Sequence, residues 1–206
     1  MNPRKIASPN HDERTPGEAI SLVVIHAISL PPDCFGGRGV EQLFTNRLDP
    51  AEHPYYAGIH HLRVSAHYFI RRTGELIEFV PPERRAWHAG VSSWRGRERC
   101  NDFSIGIELE GCDTLPFEAE QYVVLAALLD SLGERFPVAD AVGHSDVAPG
   151  RKTDPGPYFD WSRLRRHLLD RGGRVDLLDW RQGLPEPVEA PIDPMRWPFP
   201  LSGRPG

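Results

Sequence analysis

Leu22-Val23-Val24-Ile25, four aliphatics in a row and three of them β-branched, constrain the fold of this chain more than any other stretch. No polar position alternates with the apolar ones, so the run suits a strand buried on both faces. The strand ends in His26. A histidine at a strand end, rather than in mid-strand, is well placed to face a site. Just beyond it, Leu30-Pro31-Pro32 and Gly36-Gly37 require a loop over residues 30–37, and loops beside strand ends commonly border sites.

A second strand is readable over residues 103–109. Phe103, Ile105, Ile107 and Leu109 point one way, while Ser104, Gly106 and Glu108 point toward solvent or a cleft. Gly106 leaves room for something to approach the backbone. Two strand-like runs, 65–70 and 75–80, flank Arg71-Arg72-Thr73-Gly74 and predict a hairpin. A short helix is expected over 40–48, before Asp49-Pro50. A longer one is expected over 117–136, where Tyr122, Leu125, Leu129 and Leu132 recur at helical spacing. A last helix begins at the N-cap Asp160 and runs through Leu164 and Leu168 to Gly172-Gly173. Past about residue 180, Pro185, Pro187, Pro191, Pro194, Pro198, Pro200 and Pro205 leave no room for strand or helix. We therefore divide the chain into a domain over 1–171, opened by a polar arm, and a Pro/Gly-rich tail over 172–206.

Several function classes fall away on composition. The net charge is −5 and no basic stripe carries interleaved aromatics, which argues against nucleic acid as a partner. The apolar runs are too short to cross a bilayer, so no membrane partner is expected. Met1-Asn2-Pro3-Arg4-Lys5 has no apolar segment behind it, so the reading is a cytoplasmic protein without a secretory signal. Cys34, Cys100 and Cys112 are odd in number and without CxxC spacing, as reduced thiols would be. No coiled-coil pattern or interface strand calls for a dimer, and a monomer is expected.

The chemistry rests on three separated polar positions. His144 follows Ala141-Val142-Gly143, and Asp154 follows inside Lys152-Thr153-Asp154-Pro155-Gly156. With His26 they make a two-histidine, one-carboxylate set of the kind that binds zinc and leaves a fourth position for water. The bland alternatives are structural histidines, of which nine give ample choice, and a turn aspartate capping backbone N–H groups. A hydrolytic zinc site gains from a carboxylate that takes a proton, and Glu108 and Glu110 share one polar strand face. Strand parity does not separate them. Lys152 is close enough in sequence to Asp154 to stabilise a negative oxygen at the same site, or it is a solvated loop lysine.

Longer motifs add a resemblance. Residues 21–37 (SLVVIHAISLPPDCFGG), 63–67 (RVSAH), 85–91 (RRAWHAGV without its first arginine), 96–111 (GRERCNDFSIGIELEG) and 143–161 (GHSDVAPGRKTDPGPYFDW) resemble, in order, the AmpD-type 1,6-anhydro-N-acetylmuramyl-L-alanine amidases. These belong to the zinc amidase group that also holds the peptidoglycan recognition proteins. The resemblance covers roughly residues 6–168. It implies an α/β (α+β) fold, a mixed central β-sheet with flanking helices and one zinc ion at one face. It implies His26, His144 and Asp154 as metal ligands, Glu108 as the catalytic acid/base and Lys152 as the transition-state lysine. Tyr55 matches a tyrosine beside the site, and Arg63, Trp87 and Arg99 fall in motifs that line the substrate cleft. The implied activity is hydrolysis of the amide between the lactyl group of (1,6-anhydro-)N-acetylmuramic acid and L-alanine in muropeptides, during cytoplasmic peptidoglycan recycling. The chain departs from the family pattern at Ala27, where asparagine is usual, and at Tyr68-Phe69, where smaller residues are.

Overall fold

A computed structural model describes residues 2–181. Among the described residues there are ten strands, β1 (Arg4–Lys5), β2 (His11–Glu13), β3 (Leu22–Ile28), β4 (Tyr68–Ile70), β5 (Leu76–Glu78), β6 (Arg84–Ala86), β7 (Ser93–Trp94), β8 (Arg97–Glu98), β9 (Ser104–Glu110) and β10 (Asp140–Gly143). The helices are α1 (Gly39–Phe44), α2 (Pro54–Ile59), α3 (Ala119–Arg135), α4 (His144–Val147) and α5 (Trp161–Asp170), and a 3-10 helix spans Val175–Arg181. Six strands form the central sheet in the order β1-β5-β4-β9-β3-β10. It is mixed: β4 and β5 pair antiparallel, as a hairpin must, and all other neighbours run parallel.

The aliphatic run sits near the middle of this sheet and is covered on both faces, with Leu22 at 1% exposure and Val23, Val24 and Ile25 at 0%. Val23 and Ile25 join Ile105, Ile107 and Leu109 of β9 in packing beneath Tyr122, Leu125, Leu129 and Leu132 of α3. Leu22 and Val24 face the other way, against Ala89, Val142 and Val147. Phe103 departs from the expected alternation. It precedes β9 and packs with Leu22 and Val24, on the face opposite Ile105. A third apolar group, Leu43, Phe44, Ile59, Phe69 and Phe79, lies under α1 and α2 at the β5 side of the sheet.

Helix ends follow local chemistry. Asp160 caps α5 by accepting from the Arg163 N–H at 2.7 Å. At the start of α3, the Gln121 side chain accepts from the Glu118 N–H at 2.9 Å. The short helices α2 and α4 carry no amphipathic repeat, and periodicity did not foretell them. Packing continues past residue 171: Leu177 and Leu178 are buried in the core under α3 and α5, and the Trp180 indole donates to the Ala141 carbonyl at 2.8 Å. The tail expected beyond residue 181 lies outside the described residues. Among the described residues, no helix is long and apolar enough to cross a membrane.

Candidate active site

Parallel pairing brings the two histidines together. β10 runs beside β3 with Gly143 opposite Ile25, so His144, the next residue, opens α4 beside His26. Asp154 comes back from the following loop, where its carbonyl accepts from the Ser145 N–H at 2.9 Å. Three donor atoms converge as a result. His26 Nδ1 lies 2.9 Å from His144 Nδ1 and 3.2 Å from Asp154 Oδ2, and His144 Nδ1 lies 3.1 Å from the same oxygen.

The far side of the His144 ring tells which of its nitrogens carries the proton. His144 Nε2 donates to the Ala89 carbonyl at 3.1 Å. His26 Nε2 meets His88 Nδ1 at 3.0 Å. His144 Nδ1 therefore points a lone pair at the carboxylate oxygen; when the His26 proton sits on Nε2, His26 Nδ1 does the same, and three lone pairs at such distances repel unless a cation lies among them. The edges of the triangle approach the ~3.3 Å expected between donors of a tetrahedral ion with bonds of about 2.0–2.1 Å. The three residues could hold a metal ion. Burial, and then the neighbouring His144, push His26 down to about 4, so the ring is uncharged at neutral pH. Burial alone would raise the Asp154 carboxyl, but His144 and His26 outweigh it and hold the group well below the ordinary carboxylate range.

β9 lies beside β3 with Glu108 opposite His26. The ambiguity between Glu108 and Glu110 is resolved by their neighbours. Glu110 accepts from the Gly36 N–H at 2.6 Å, from Arg71 Nη1 at 3.2 Å and from the Arg72 N–H at 3.1 Å. It is a strut tying the 30–37 loop to the hairpin. Glu108 is also buried, yet among the described residues its Oε2 has no hydrogen-bond partner. Burial, reinforced by Asp154 and opposed by Lys152, raises the Glu108 carboxyl well above its ordinary value. Glu108, Lys152, His26, His144 and Asp154 line one cavity of about 260 Å³.

Tyr55 and Trp87 also line this cavity, together with apolar side chains such as Leu43, Phe44 and Ile59. Arg63 and Arg99 do not. Arg63 is exposed at the end of α2, where Nη1 donates to the His61 carbonyl at 3.0 Å. Arg99 is exposed and pairs with Asp102 at 3.1 Å.

The polar face of β9 was expected to open to solvent or a cleft, yet Ser104 is 0% exposed and Glu108 8%. A lid of histidines explains the difference. His88 packs so tightly on Gly106 that a Cβ there would fall 2.5 Å from its Cγ. His67 Nδ1 accepts the Gly106 N–H at 2.9 Å, completing the sheet where β4 has not yet begun. Burial, and then Arg14, push His67 down to about 3. Sequence reasoning missed both histidines as parts of the site. The available signals were Gly106 itself and the His of the WHAG motif.

The protein-family comparison matches residues 16–157 to the Amidase_2 model, described as N-acetylmuramoyl-L-alanine amidase. The chain is 58% identical over 164 residues to the 1,6-anhydro-N-acetylmuramyl-L-alanine amidase AmpD of Citrobacter freundii, covering 79% of this chain and 88% of that one. Among solved structures, the crystal structure of a selenomethionine AmpD derivative superposes with a TM-score of 0.78 at 57% identity, covering 80% of this chain and 93% of the other. AmpDh3 of Pseudomonas aeruginosa, solved in complex with an anhydromuramic pentapeptide, superposes with a TM-score of 0.55 at 27% identity over 92% of this chain and 83% of that one. With a family model spanning most of its length and relatives of this identity, the chain belongs to the N-acetylmuramoyl-L-alanine amidase family.

Proposed function

We propose that this protein is a zinc-dependent amidase that hydrolyses the bond between the lactyl group of 1,6-anhydro-N-acetylmuramic acid and L-alanine in muropeptides. One observation carries the proposal. Three side-chain donor atoms able to hold a metal ion converge in the same cavity as a buried carboxylate with an oxygen unpartnered among the described residues. One zinc per chain, held by His26, His144 and Asp154, would supply Lewis acidity and lower the pKa of a water in its open position to about 7.

Glu108 then takes the proton from the attacking water and returns one to the departing alanine nitrogen. Its lack of hydrogen-bond partners keeps Oε2 open for both transfers. A raised pKa suits it to hold the proton between the two steps. The Lys152 ammonium, at the same cavity, stabilises the negative oxygen formed on the lactyl carbonyl. Tyr55 and Trp87 border the space for the sugar and peptide. Arg63 and Arg99, standing outside the cavity wall, act at longer range by attracting the peptide carboxylates. A cytoplasmic place of action, in the recycling of cell-wall fragments, fits the free state of Cys34, Cys100 and Cys112.

The test is mass spectrometry of the products from an anhydro-muropeptide, run on protein of measured zinc content with and without a chelator. Release of intact peptide and anhydro-N-acetylmuramic acid, lost on chelation and restored by zinc, is the expected result. Cleavage at another bond, or undiminished turnover by zinc-free protein, would refute the proposal. A reducing-end muropeptide in parallel measures how far the anhydro ring matters.

A further inference from the structure

His88 stands behind His26, on the side away from the other two ligating residues. The two rings meet edge to face, with centroids 5.1 Å apart at 88°. His26 Nε2 lies 3.0 Å from His88 Nδ1, and His88 Nε2 lies 3.2 Å from Ser104 Oγ. These three side chains form a line that permits two proton arrangements. In one, His26 Nε2–H donates to His88 Nδ1, and His88 Nε2–H donates to the serine oxygen. His26 Nδ1 is then a bare lone pair. In the other, the serine hydroxyl donates to His88 Nε2, His88 Nδ1–H donates to His26 Nε2, and a neutral His26 carries its proton on Nδ1. Only the first arrangement leaves His26 able to bind an ion through Nδ1.

The surroundings hold His88 where it can make this choice. The Asn101 carboxamide oxygen accepts from the backbone N–H groups of His88 at 3.2 Å and Ala89 at 2.8 Å. Gly106 lies directly beneath the ring, where a Cβ would approach its Cγ within 2.5 Å. The same loop presents the Ala89 carbonyl that fixes the tautomer of His144. One short segment thus orients both ligating imidazoles.

We propose that His88 is a positioning residue for the metal, setting the tautomer of His26 by accepting its Nε2–H. The inference rests on the metal-binding reading of His26, His144 and Asp154. Partners that orient ligating histidines in this way typically contribute 10–100-fold to metal affinity.

Leucine and asparagine at position 88 give a matched contrast. Both place two atoms where the ring has Nδ1 and Cδ2, but only asparagine offers an acceptor. Zinc affinity of the metal-free full-length protein, read by competition with a chromophoric chelator, should fall ~10–100-fold in His88→Leu. It should stay within a few-fold of wild type in His88→Asn. Ser104→Ala removes one oxygen from the far end of the line and should lower affinity in the same direction by less. Wild-type affinity in His88→Leu, or an asparagine variant as weak as the leucine one, would overturn the proposal. If His88→Leu does not fold, unchanged affinity in Ser104→Ala overturns it instead. Failure of the wild-type protein to bind zinc at all would sink the metal reading itself, a different outcome from tight binding that ignores position 88.

Discussion

Glu108→Gln should remove turnover and, at the same time, make the metal-free protein more stable. The residue is 8% exposed and its Oε2 has no partner among the described residues. A buried acceptor left unsatisfied costs ~1–3 kcal/mol, and more when it is charged. Burial and the neighbouring Asp154 both disfavour the carboxylate, and Lys152 only partly offsets them. Glutamine keeps the shape and discards the charge, although its NH₂ group then needs an acceptor of its own. The net gain at neutral pH is on the order of 1–3 kcal/mol, and a domain of this size shifts its Tm by about 2–4 °C for each kcal/mol. The pH dependence gives the sharper signature. In the folded state the carboxyl keeps its proton well above its ordinary value of 4.5. Between the two values the folded chain binds more protons than the unfolded one, so wild-type stability falls as pH rises. The advantage of the glutamine variant is then small at pH 4–5 and grows toward pH 8. Urea unfolding of metal-free wild type and variant across that range measures it. A variant no more stable than wild type at pH 8, or an advantage that shrinks as pH rises, would show that the carboxylate is not held against a desolvation cost. Turnover of the zinc-loaded variant should fall ~10²–10⁴-fold, the usual share of general acid–base transfer.

Glu110→Ala should behave in the opposite way: it removes the acceptor shared by Gly36, Arg71 and Arg72. Arg71 keeps its ion pairs with Glu41 and Glu75, so chemical denaturation should show a loss of about 2–3 kcal/mol, with zinc affinity unchanged. Gly106→Ala puts a methyl group where the His88 ring lies. Overpacking of this kind costs ~1–3 kcal/mol, and zinc titration should show weaker binding; a stable variant with wild-type affinity would contradict the close packing. Arg63→Ala and Arg99→Ala should raise KM at constant kcat, and the effect should fade as salt shortens the range of their charges. A fall in kcat alone would place them in the chemistry instead.

Much of the frame was legible because its causes are local. The aliphatic run 22–25 has no polar side to expose, the 65–80 region carries its own turn, and α3 repeats leucines at helical spacing. What stayed hidden depends on partners distant in the chain. β10 is four residues long and becomes a strand by pairing with β3. Val175–Arg181 is anchored because Leu177 and Leu178 find a gap in the core, a fact that residues 172–181 do not state in their own composition.

The same division runs through the site. Residue type and motif order pointed to His26, His144 and Asp154, and parallel pairing of β10 with β3 is what makes them neighbours. Strand parity placed Glu108 and Glu110 on one face and could go no further, because parity describes direction and not company. Three donors reach Glu110 from the 30–37 loop and the hairpin, and they hold it in place as a strut. Among the described residues, none reaches Glu108 Oε2. A carboxylate with both oxygens engaged by donors is structural, whereas one with an open oxygen beside a candidate cation site can accept a proton and give it back. The difference between strut and base therefore lies in residues 36, 71 and 72, far from either glutamate in the sequence.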